Sequence, residues 1–467
     1  MRVLFVNPNY FEEIYGGFAV KSAAERGHPM PLGMGLLAAG LRKAGHEAEI
    51  LDMNINDLPA QDLDAKVRDF RPGLVCFTMT TPLYSVIKRA VGRLHDGGYK
   101  GLVAVGGPHV TALPREVIEG MPVDFAVVGQ GDVLIRKLAE GQVDLRNIWR
   151  KVDGKGVEGT QELAEPIVLD ELPYAFYNPA DVSKYVLSPL YTKANPVAFL
   201  ETSRGCFSHC VFCNKNIGGY KLVAKNPCRV VDEMEYLLGL GYRELHIIDD
   251  GFATDKNRVV AICDEIIRRR LELSWYPRGG IRVDRVDQRM FDKMREAGCY
   301  RVPFGVESGS QRVLDVIRKG IRLEQAENAI RLAKQAGLQT EAYFMIGLPS
   351  ETVADVKASY DFATRTSPDY MKFAITVPLP GTKMFDDIKA DGRLLTEDWD
   401  QYNFAKDPAK LYRHDVMDSK TIYDLYIKYN RAYYLRPRYI LEKLVQGVKT
   451  GQLGFYARNG MKVLFRR

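Results

Sequence analysis

The segment Glu201-Thr-Ser-Arg-Gly-Cys206-Phe-Ser-His-Cys210-Val-Phe-Cys213 places three thiols within eight residues, four and then three positions apart. Thiols at these spacings converge only if the loop wraps around one object. Cysteine thiolates are the usual ligands of iron–sulfur clusters, and three of them leave one iron of a [4Fe–4S] cube free to bind a small molecule with amino and carboxylate groups. We therefore predict a [4Fe–4S] cluster held by Cys206, Cys210 and Cys213.

Zinc and coincidence are the alternatives for this loop. A structural zinc site usually takes a fourth Cys or His, and His209 is available in the sequence. However, His209 adjoins Cys210 inside the loop, where geometry disfavours binding of one ion by both residues. Three further cysteines stand singly and are predicted to be buried apolar side chains rather than ligands of a second cluster: Cys228, Cys263 and Cys299.

The bulk composition predicts a chain of two or three globular domains, since it has 467 residues of which 27% are charged. Seven cysteines are an odd number, and the N-terminal MRVLFVNPNY predicts a strand rather than a signal peptide. Both features argue against a disulfide framework, so we expect a cytoplasmic location. The sequence contains no run of about 18 apolar residues, and we predict no membrane span.

Residues 1–140 alternate short apolar runs with amphipathic helical patterns, which predicts a parallel, doubly wound, Rossmann-like α/β sheet. Ligands of such sheets bind at the carboxyl ends of the strands. Residues 141–195 are interrupted by prolines and predict an irregular linker. The predicted strands are Val3–Val6, Ala48–Leu51, Leu74–Thr78, Leu102–Val105 and Phe125–Val128.

The β-α alternation returns six times between residues 196 and 395. Six units close only part of an eightfold barrel, so we predict a partial (β/α)6, TIM-like barrel with its active site at the carboxyl ends of the strands. A second doubly wound sheet is the alternative. The predicted strands are Val197–Glu201, Glu244–Ile248, Leu273–Arg278, Arg301–Val306, Ala342–Ile346 and Lys372–Val377.

The cysteine loop and the later strand ends resemble the radical S-adenosylmethionine superfamily. Its CxxxCxFC motif follows the first barrel strand, and five further matches appear in family order: Asp249-Asp250-Gly-Phe, Arg282-Val-Asp284, Gly305-Val-Glu307-Ser308-Gly309, Gly347-Leu-Pro-Ser-Glu351-Thr and Pro378-Leu-Pro-Gly-Thr382. Each match taken singly is also compatible with a cap, a turn or an ion pair. Together the matches imply that S-adenosylmethionine is bound by Phe212, Asp249, Asp250, Arg282, Glu307, Ser308 and Gly347.

The first 140 residues resemble the cobalamin-binding domain of class B radical methylases and their cyclase relatives. The matching segments are Pro31-Leu-Gly33, Gly106-Gly107-Pro108-His109 and Val128-Gly129-Gln130-Gly131-Asp132, the last usually being GEGE. The Asp-x-His-x-x-Gly motif is absent, which implies cobalamin bound without an imidazole ligand from the protein. The implied contacts are Asn9, Asp52, Thr78, Thr80, Gly106, Gly107, His109, Gly129 and Gln130. A loop-capping role for His109 and a domain that no longer binds cobalamin are the alternatives.

The activity that this resemblance implies is radical chemistry. One electron cleaves S-adenosylmethionine into methionine and a 5′-deoxyadenosyl radical, which takes a hydrogen atom from an unactivated carbon. With cobalamin as methyl carrier, the implied biosynthetic reaction is methylation of carbon, or of phosphorus, in a hydrophobic or secondary metabolite. A radical cyclisation, rearrangement or C–C coupling on a lipid, isoprenoid or tetrapyrrole is the first alternative. A non-catalytic iron–sulfur or cobalamin carrier is the second.

Partners of the enzyme are expected to be a small, lipid-like substrate and an electron donor such as flavodoxin or ferredoxin, with no nucleic acid.

The C-terminal residues 396–467 predict a helical, basic segment rich in tyrosine. Residues 421–467 hold ten Lys/Arg and two acidic residues, and one predicted helical face there combines Ile422, Leu425, Tyr426, Tyr429 and Tyr433. Such a face usually packs on other elements. The basic and aromatic residues that follow suit a membrane surface, so we expect peripheral membrane contact through 421–467. A phosphorylated or nucleic-acid substrate and a solvated basic face are the alternatives.

Overall fold

The computed structural model describes residues 1–10, 27–55, 58–143, 146–152, 156–160, 162, 167–402, 407–450 and 454. Within these residues the chain forms an N-terminal α/β domain, an open barrel and a C-terminal helical segment. The basic residues expected near the C-terminus at 458, 462, 466 and 467 lie outside the described residues.

The first domain is built on a seven-stranded sheet with the order β2-β1-β3-β4-β5-β6-β7. Strands β1 to β5 are parallel, which confirms the doubly wound prediction, and apolar side chains from helices cover both faces. The strands are β1 Arg2–Asn7, β2 Glu47–Asp52, β3 Leu74–Thr78, β4 Leu102–Gly106, β5 Phe125–Val127, β6 Ile148–Val152 and β7 Gly156–Glu158. The helices are α1 Leu32–Lys43, α2 Gln61–Phe70, α3 Tyr84–Asp96, α4 Pro108–Ala112, α5 Pro114–Gly120 and α6 Gly131–Ala139.

The prediction of an irregular linker over 141–195 is wrong for its first part. Strands β6 and β7 add to the first sheet in antiparallel fashion, since β5 pairs with β6 and β6 pairs with β7. Strand β6 has the sequence IWRKV, in which charged residues hide the apolar alternation of a strand. The free edge of β5 supplies the pairing, which sequence periodicity cannot reveal.

The barrel contains six parallel strands in simple chain order. Strands β8, β11 and β12 form one hydrogen-bonded group and β13, β14 and β15 another, joined by bridges from Trp275 to Cys299 and from Ile281 to Phe304. Because the order never reverses, as it would in a doubly wound sheet, the partial barrel is confirmed. The strands are β8 Val197–Leu200, β11 Glu244–Ile247, β12 Ser274–Pro277, β13 Arg301–Glu307, β14 Gln339–Ile346 and β15 Tyr370–Ile375, with the short pair β9 Ser203–Arg204 and β10 Val223–Ala224 beside them.

Helices surround the barrel and bury their apolar faces on its outer side. The predicted start of the first one is confirmed, because the Asn226 side chain accepts a hydrogen bond from the Cys228 amide (3.0 Å) and Pro227 occupies the first helical position. The helices are α7 Pro227–Gly239, α8 Lys256–Arg268, α9 Gln288–Glu296, α10 Gln311–Val316, α11 Leu323–Gln335, α12 Val353–Thr366 and α13 Lys383–Ala390.

Two further helices, α14 Ser419–Tyr434 and α15 Pro437–Thr450, form the C-terminal segment. The apolar face of α14 packs on the barrel, as predicted, and also completes its edge strand β15. The Asn430 side chain accepts from the Phe373 amide (3.1 Å) and donates to the Phe373 carbonyl (3.2 Å), and the Tyr434 hydroxyl bonds both backbone groups of Met371. Side chains thus replace the missing neighbouring strand. Among the helices described, none is long and apolar enough to cross a membrane.

Candidate active site

The cysteine loop begins at the carboxyl end of β8 and is shaped by Gly205. This glycine has φ 87°, and a Cβ atom there would lie 2.3 Å from the Lys221 carbonyl oxygen. Only glycine fits this position. The next residue, Cys206, is 5% exposed and donates its amide to the Gly219 carbonyl (3.2 Å), whereas Cys210 and Cys213 are half-buried. The loop therefore holds the three thiols at the carboxyl end of the barrel.

Cationic side chains surround the three thiols. Burial raises the pKa of Cys206, but hydrogen bonds from Ser208 and the charge of Lys215 outweigh it and lower the pKa below its usual value. Burial raises the pKa values of Cys210 and Cys213, with Lys319 opposing the shift at Cys210 and Lys215 at Cys213. A cluster ligated by three thiolates is anionic, so these cations fit its charge. The donor set therefore fits a [4Fe–4S] cluster.

A single-ion site is not formed by these groups. Within the described part of the chain, no set of three or more His, Cys, Asp or Glu side chains is placed to hold one metal ion. A [4Fe–4S] cube presents a separate iron atom to each thiolate, so its ligands need not meet at one point. The remaining cysteines lie elsewhere. Cys76, Cys263 and Cys299 are buried, and the prediction that Cys228 is buried is wrong, because it lies exposed on the first turn of α7.

The neighbouring residues Asp249 and Asp250, which follow β11, differ in their burial. Asp249 is 2% exposed and accepts hydrogen bonds from the Thr202 amide (2.6 Å) and the Ser203 hydroxyl (2.7 Å). It anchors the start of the cysteine loop, and its contact with S-adenosylmethionine stays a prediction. Asp250 is exposed beside Gly218, and its charge acts on Cys213 and Lys215. Of the pair, Asp250 faces the open side of the loop.

Arg282, in the loop that follows the third barrel strand β12, supports the cysteine loop. Its guanidinium donates to the Ser208 hydroxyl, to both carboxylate oxygens of Asp284 (2.9 and 3.1 Å) and to the Gly320 carbonyl (3.2 Å). Because Ser208 in turn donates to Cys206, Arg282 acts on the thiol through one intermediate residue. These contacts give Arg282 a positioning role beside the cysteine loop, and its contact with S-adenosylmethionine stays a prediction.

The fourth barrel strand, β13, ends at Glu307, whose backbone is strained. Glu307 has φ 68°, in the left-handed region that non-glycine residues rarely adopt, and a bulge shifts the strand register between Gly305 and Glu307. Its carboxylate forms an ion pair with Lys319 (2.7 Å) and acts electrostatically on Cys210. The following Ser308 is fully buried against Ser359 (3.4 Å), and its contact with S-adenosylmethionine stays a prediction.

The fifth strand ends in a turn fixed by Gly347 and Glu351. Gly347 has φ 86°, and a Cβ there would lie 2.9 Å from the Tyr412 hydroxyl, which donates to the Gly347 carbonyl (2.5 Å). The buried Glu351 accepts from the Gly347 amide (2.8 Å), and burial raises its pKa to about 8. The turn is therefore set by a protonated carboxyl group at neutral pH. Phe212 is half-buried, with Lys319 Nζ 6.0 Å from its ring centroid.

Among the described residues, glycines and small polar side chains line the carboxyl edge of the first sheet. Gly107 has φ 105°, and a Cβ there would lie 2.8 Å from the Met79 carbonyl, while Gly129 has φ 75° and faces Asn216 of the cysteine-loop region. The predicted contacts that are half-buried or exposed along this edge, and so accessible, are Asn9, Thr78, Thr80, Gly106, Gly107, Gly129 and Gln130. Such an edge fits cobalamin, which needs close approach to backbone.

Two predicted cobalamin contacts are enclosed by protein. His109 is 1% exposed, lies between the rings of Tyr84 and Trp399 (centroids 5.3 and 5.1 Å away) and shares a hydrogen bond with Thr81 (3.2 Å). Burial lowers its pKa to about 4, which leaves a neutral ring. Its position matches the loop-capping alternative, and its contact with cobalamin stays a prediction.

Asp52 is 6% exposed and accepts from the Asn7 side chain (2.9 Å) and the Asn54 amide (3.2 Å). Burial raises its pKa to about 6. It joins the ends of β1 and β2, and its contact with cobalamin stays a prediction.

The two domains meet at Arg204, two residues before Cys206. Its guanidinium donates to both carboxylate oxygens of Asp132 (2.7 and 3.1 Å), to the Gln130 side chain (3.0 Å) and to Glu201 (2.9 Å). Burial alone lowers the pKa of Arg204, but Glu201 and Asp132 outweigh it and raise the pKa. Its two partners in the first domain, Gln130 and Asp132, occupy the positions of the two Glu residues in the family's GEGE motif. Sequence reasoning missed Arg204, although it lies inside the decisive loop.

The fold and the loop together define a radical S-adenosylmethionine enzyme. The model of the radical SAM superfamily matches residues 200–363, and that of the B12 binding domain matches residues 19–139. An uncharacterised methyltransferase of Pyrococcus horikoshii is 31% identical over 458 residues, which cover 93% of either chain. The chain belongs to the cobalamin-binding radical S-adenosylmethionine family, and its cofactors are a [4Fe–4S] cluster, S-adenosylmethionine and cobalamin.

Two further relatives show the range of the family. An anaerobic magnesium-protoporphyrin IX monomethyl ester cyclase of Rubrivivax gelatinosus is 27% identical over 94% of this chain and 78% of its own. The radical S-adenosylmethionine methyltransferase TsrM from Kitasatospora setae, whose structure contains tryptophan substrate and an S-adenosylmethionine analogue, superposes with TM-score 0.71 at 22% identity. The superposition covers 84% of this chain and 76% of TsrM. The likeness to TsrM is one of fold.

Proposed function

We propose that this enzyme transfers a methyl group from S-adenosylmethionine, through cobalamin, to an unactivated carbon or to phosphorus of a hydrophobic small molecule. The observation that carries the proposal is the contact of Arg204 with Gln130 and Asp132. It ties the cobalamin edge of the first domain to the residue two positions before Cys206. The similarity to the Pyrococcus methyltransferase supports the same reaction.

The roles within this proposal follow from position. Cys206, Cys210 and Cys213 hold the cluster, while Asp250, Glu307 and the Gly347 turn bind S-adenosylmethionine. Bound together, the cofactors supply an electron for cleavage of S-adenosylmethionine and a carrier for its methyl group. The chain itself keeps the loop in place through Arg282 and Asp249 and holds the carboxyl of Glu351 uncharged at neutral pH. The residues proposed to bind cobalamin are Asn9, Thr78, Thr80, Gly106, Gly107, Gly129 and Gln130.

The products distinguish methyl transfer from other radical reactions. Two molecules of S-adenosylmethionine are consumed per methylation, one as methyl donor and one as radical source, so S-adenosylhomocysteine and 5′-deoxyadenosine should form together. Anaerobic assays of the reconstituted enzyme with dithionite and candidate hydrophobic substrates, analysed by mass spectrometry, measure both. 5′-Deoxyadenosine that accumulates during substrate conversion without S-adenosylhomocysteine would refute methyl transfer.

Cyclisation is the second candidate reaction, and the 27% identity to the protoporphyrin ester cyclase over 94% of this chain favours it. Cyclisation would produce 5′-deoxyadenosine without S-adenosylhomocysteine. Cleavage of S-adenosylmethionine in either reaction takes one electron from an outside donor such as flavodoxin or ferredoxin. Formation of 5′-deoxyadenosine with reduced flavodoxin in place of dithionite tests the proposed electron donor. The absence of turnover with every protein donor tried would count against such a donor.

Peripheral contact with an anionic lipid surface is a further part of this proposal. Helix α15 has one exposed apolar stripe, formed by Ile440, Leu441, Leu444, Val445 and Val448, with Arg438 exposed beside it. We expect the holoenzyme to sediment with phosphatidylglycerol vesicles, and the variant Leu441→Asp/Val448→Asp to remain in the supernatant. Leu395→Asp, at an apolar side chain of similar exposure outside this segment, is the control. Equal sedimentation of the wild type and the double variant would contradict the lipid contact.

A further inference from the structure

The inner wall of the barrel is lined by side chains that touch across several strands. The ring of His246 on β11 lies 5.9 Å from that of Phe199 on β8 and 4.3 Å from that of Tyr276 on β12. Arg301 on β13 lies over Tyr276 (5.7 Å) and over Tyr370 on β15 (4.5 Å). These contacts span the sheet from its first to its last strand, so the side chains involved share the concave face.

Arg278 extends this wall toward the carboxyl ends of the strands. Its guanidinium lies 3.3 Å from the Tyr276 hydroxyl and 3.5 Å from His246 Nδ1, and it stands over the rings of Tyr191 (5.1 Å) and Phe199 (5.7 Å). The residue is half-buried. Among the described carboxylates none forms an ion pair with it, whereas Arg282 and Arg204, which serve the cysteine loop, are both paired.

Lys372 is a second cation on the same wall. It follows Tyr370 by two positions on β15, and alternation in a strand places both side chains on one face. Its register partner on β14 is Tyr343. Burial raises the pKa of the Tyr343 hydroxyl, and Arg278 opposes that shift, so Arg278 and Lys372 both neighbour Tyr343. Lys372 is exposed, and it too forms no ion pair with any carboxylate in the described ranges.

Arg278 is a half-buried cation with no ion pair to a described carboxylate, and such a position is costly unless an anion binds there. Removing part of the water around a cation is unfavourable, and proteins usually offset that cost with a carboxylate. The side chains that contact Arg278 are aromatic rings, the Tyr276 hydroxyl and His246, while the Glu341 carboxylate on β14 is hydrogen-bonded to the Tyr343 hydroxyl. The pattern is that of a binding site whose anion comes from outside the chain, because charge-assisted hydrogen bonds to carboxylate or phosphate are the strong contacts of Arg and Lys.

We infer that Arg278 and Lys372 bind an anionic group, carboxylate or phosphate, of the substrate inside the barrel. The apolar part of the substrate then lies against the nearby rings of Phe199 and Tyr191 and the exposed Ile248 at the end of β11. The substrate class is an amphiphilic molecule with an aromatic or aliphatic body and one anionic end. The inference rests on the proposed function, since it names the substrate of the same site.

The test is binding of 1-naphthyl phosphate and 1-naphthol to the anaerobically reconstituted holoenzyme, measured by calorimetry with saturating S-adenosylmethionine. The phosphate should bind at least about tenfold more tightly than the neutral alcohol, as one charge-assisted hydrogen bond provides. Arg278→Gln and Lys372→Gln should each weaken the phosphate about tenfold and leave naphthol within about twofold. Arg365→Gln and Lys357→Gln, which remove paired cations on the outer helices, serve as matched controls and should change neither.

Equal affinity for the two probes, or unchanged phosphate binding in both barrel variants, would overturn the inference. Loss of naphthyl phosphate binding when S-adenosylmethionine is added would also overturn it, since the cations would then serve the carboxylate of that molecule. The outcome is independent of methyl transfer, which is read from S-adenosylhomocysteine. Anion binding without S-adenosylhomocysteine formation would refute the proposed function alone, and the reverse would refute this inference alone.

Discussion

Replacing Cys206, Cys210 or Cys213 with alanine is expected to abolish formation of 5′-deoxyadenosine from S-adenosylmethionine. Each change removes one of three thiolates, and a cluster with two protein ligands neither assembles stably nor keeps a single open iron for the substrate. The measurement is 5′-deoxyadenosine by mass spectrometry after dithionite reduction, together with iron per chain. Both quantities should fall to background in all three variants.

Two other cysteines provide the matched controls. Cys228→Ala changes an exposed thiol on α7, and Cys263→Ala changes a fully buried one in α8. Both variants should retain iron and activity, with a modest loss of stability at the buried position, where one small side chain leaves a cavity. Loss of iron in the control variants, with iron retained in the loop variants, would overturn the assignment of the cluster ligands.

Substitution of Arg204 is expected to have the second largest effect. Arg204→Gln leaves Asp132 and Glu201 without their cation at a site where all three side chains are less than 20% exposed. Breaking a buried ion pair by removing one partner typically costs about 3–5 kcal/mol. Because the residue joins the two cofactor edges, misplacement by about 1 Å should lower S-adenosylhomocysteine formation roughly 100-fold. Formation of 5′-deoxyadenosine per cluster should remain within about twofold, since the cysteines are intact.

The Arg204 variant could also fail by unfolding, and two further variants separate these outcomes. Asp132→Asn keeps the shape of the pair on the side of the cobalamin domain, so it should fold, bind iron and still show a lowered ratio of S-adenosylhomocysteine to 5′-deoxyadenosine. Arg269→Gln removes an arginine whose ion pairs lie on the outer helices and should leave the ratio unchanged. An unchanged ratio in Asp132→Asn would show that the bridge has no role in coupling the cofactors.

The sequence predicted those parts of the molecule that local pattern controls. Runs such as VLFV and LVCFT have the β-branched and apolar residues of fully buried parallel strands, so the strands were located to within two or three residues. The three thiols were identified because their spacing is a property of one loop. The start of α7 was predicted because Asn226 and Pro227 act within a single helical turn.

The parts that sequence missed depend on which side chains meet in three dimensions. Asp249 and His109 stand in family motifs at strand ends, but burial directs both into the interior, where each forms structural hydrogen bonds. Arg204 was overlooked because its partner Asp132 is 72 positions away. The pairing of β5 with β6 likewise depends on a free sheet edge. Alternation fixes the face of a residue, whereas burial and partners are set by the rest of the fold.

The functional residues of the C-terminal segment illustrate the same limit. Tyr412 and His414 brace the turn after β14 through the Gly347 and Leu348 carbonyls, and neither stands in a recognisable motif. Helix α14 was predicted as a packing face, yet its hydrogen bonds to the edge strand β15 came from two polar side chains, Asn430 and Tyr434. Polar contacts across elements leave no periodic signal in a sequence.

Anaerobic reconstitution with iron, sulfide and hydroxocobalamin, followed by desalting and metal analysis, tests the central claim most directly. The three-thiol loop and the glycine-lined carboxyl edge of the first sheet predict about four iron atoms and one cobalt per chain. They also predict an electron paramagnetic resonance signal of the reduced cluster that changes when S-adenosylmethionine is added. A chain that carries one zinc and no iron, or a cluster whose signal ignores S-adenosylmethionine because side chains ligate all four irons, would contradict the account.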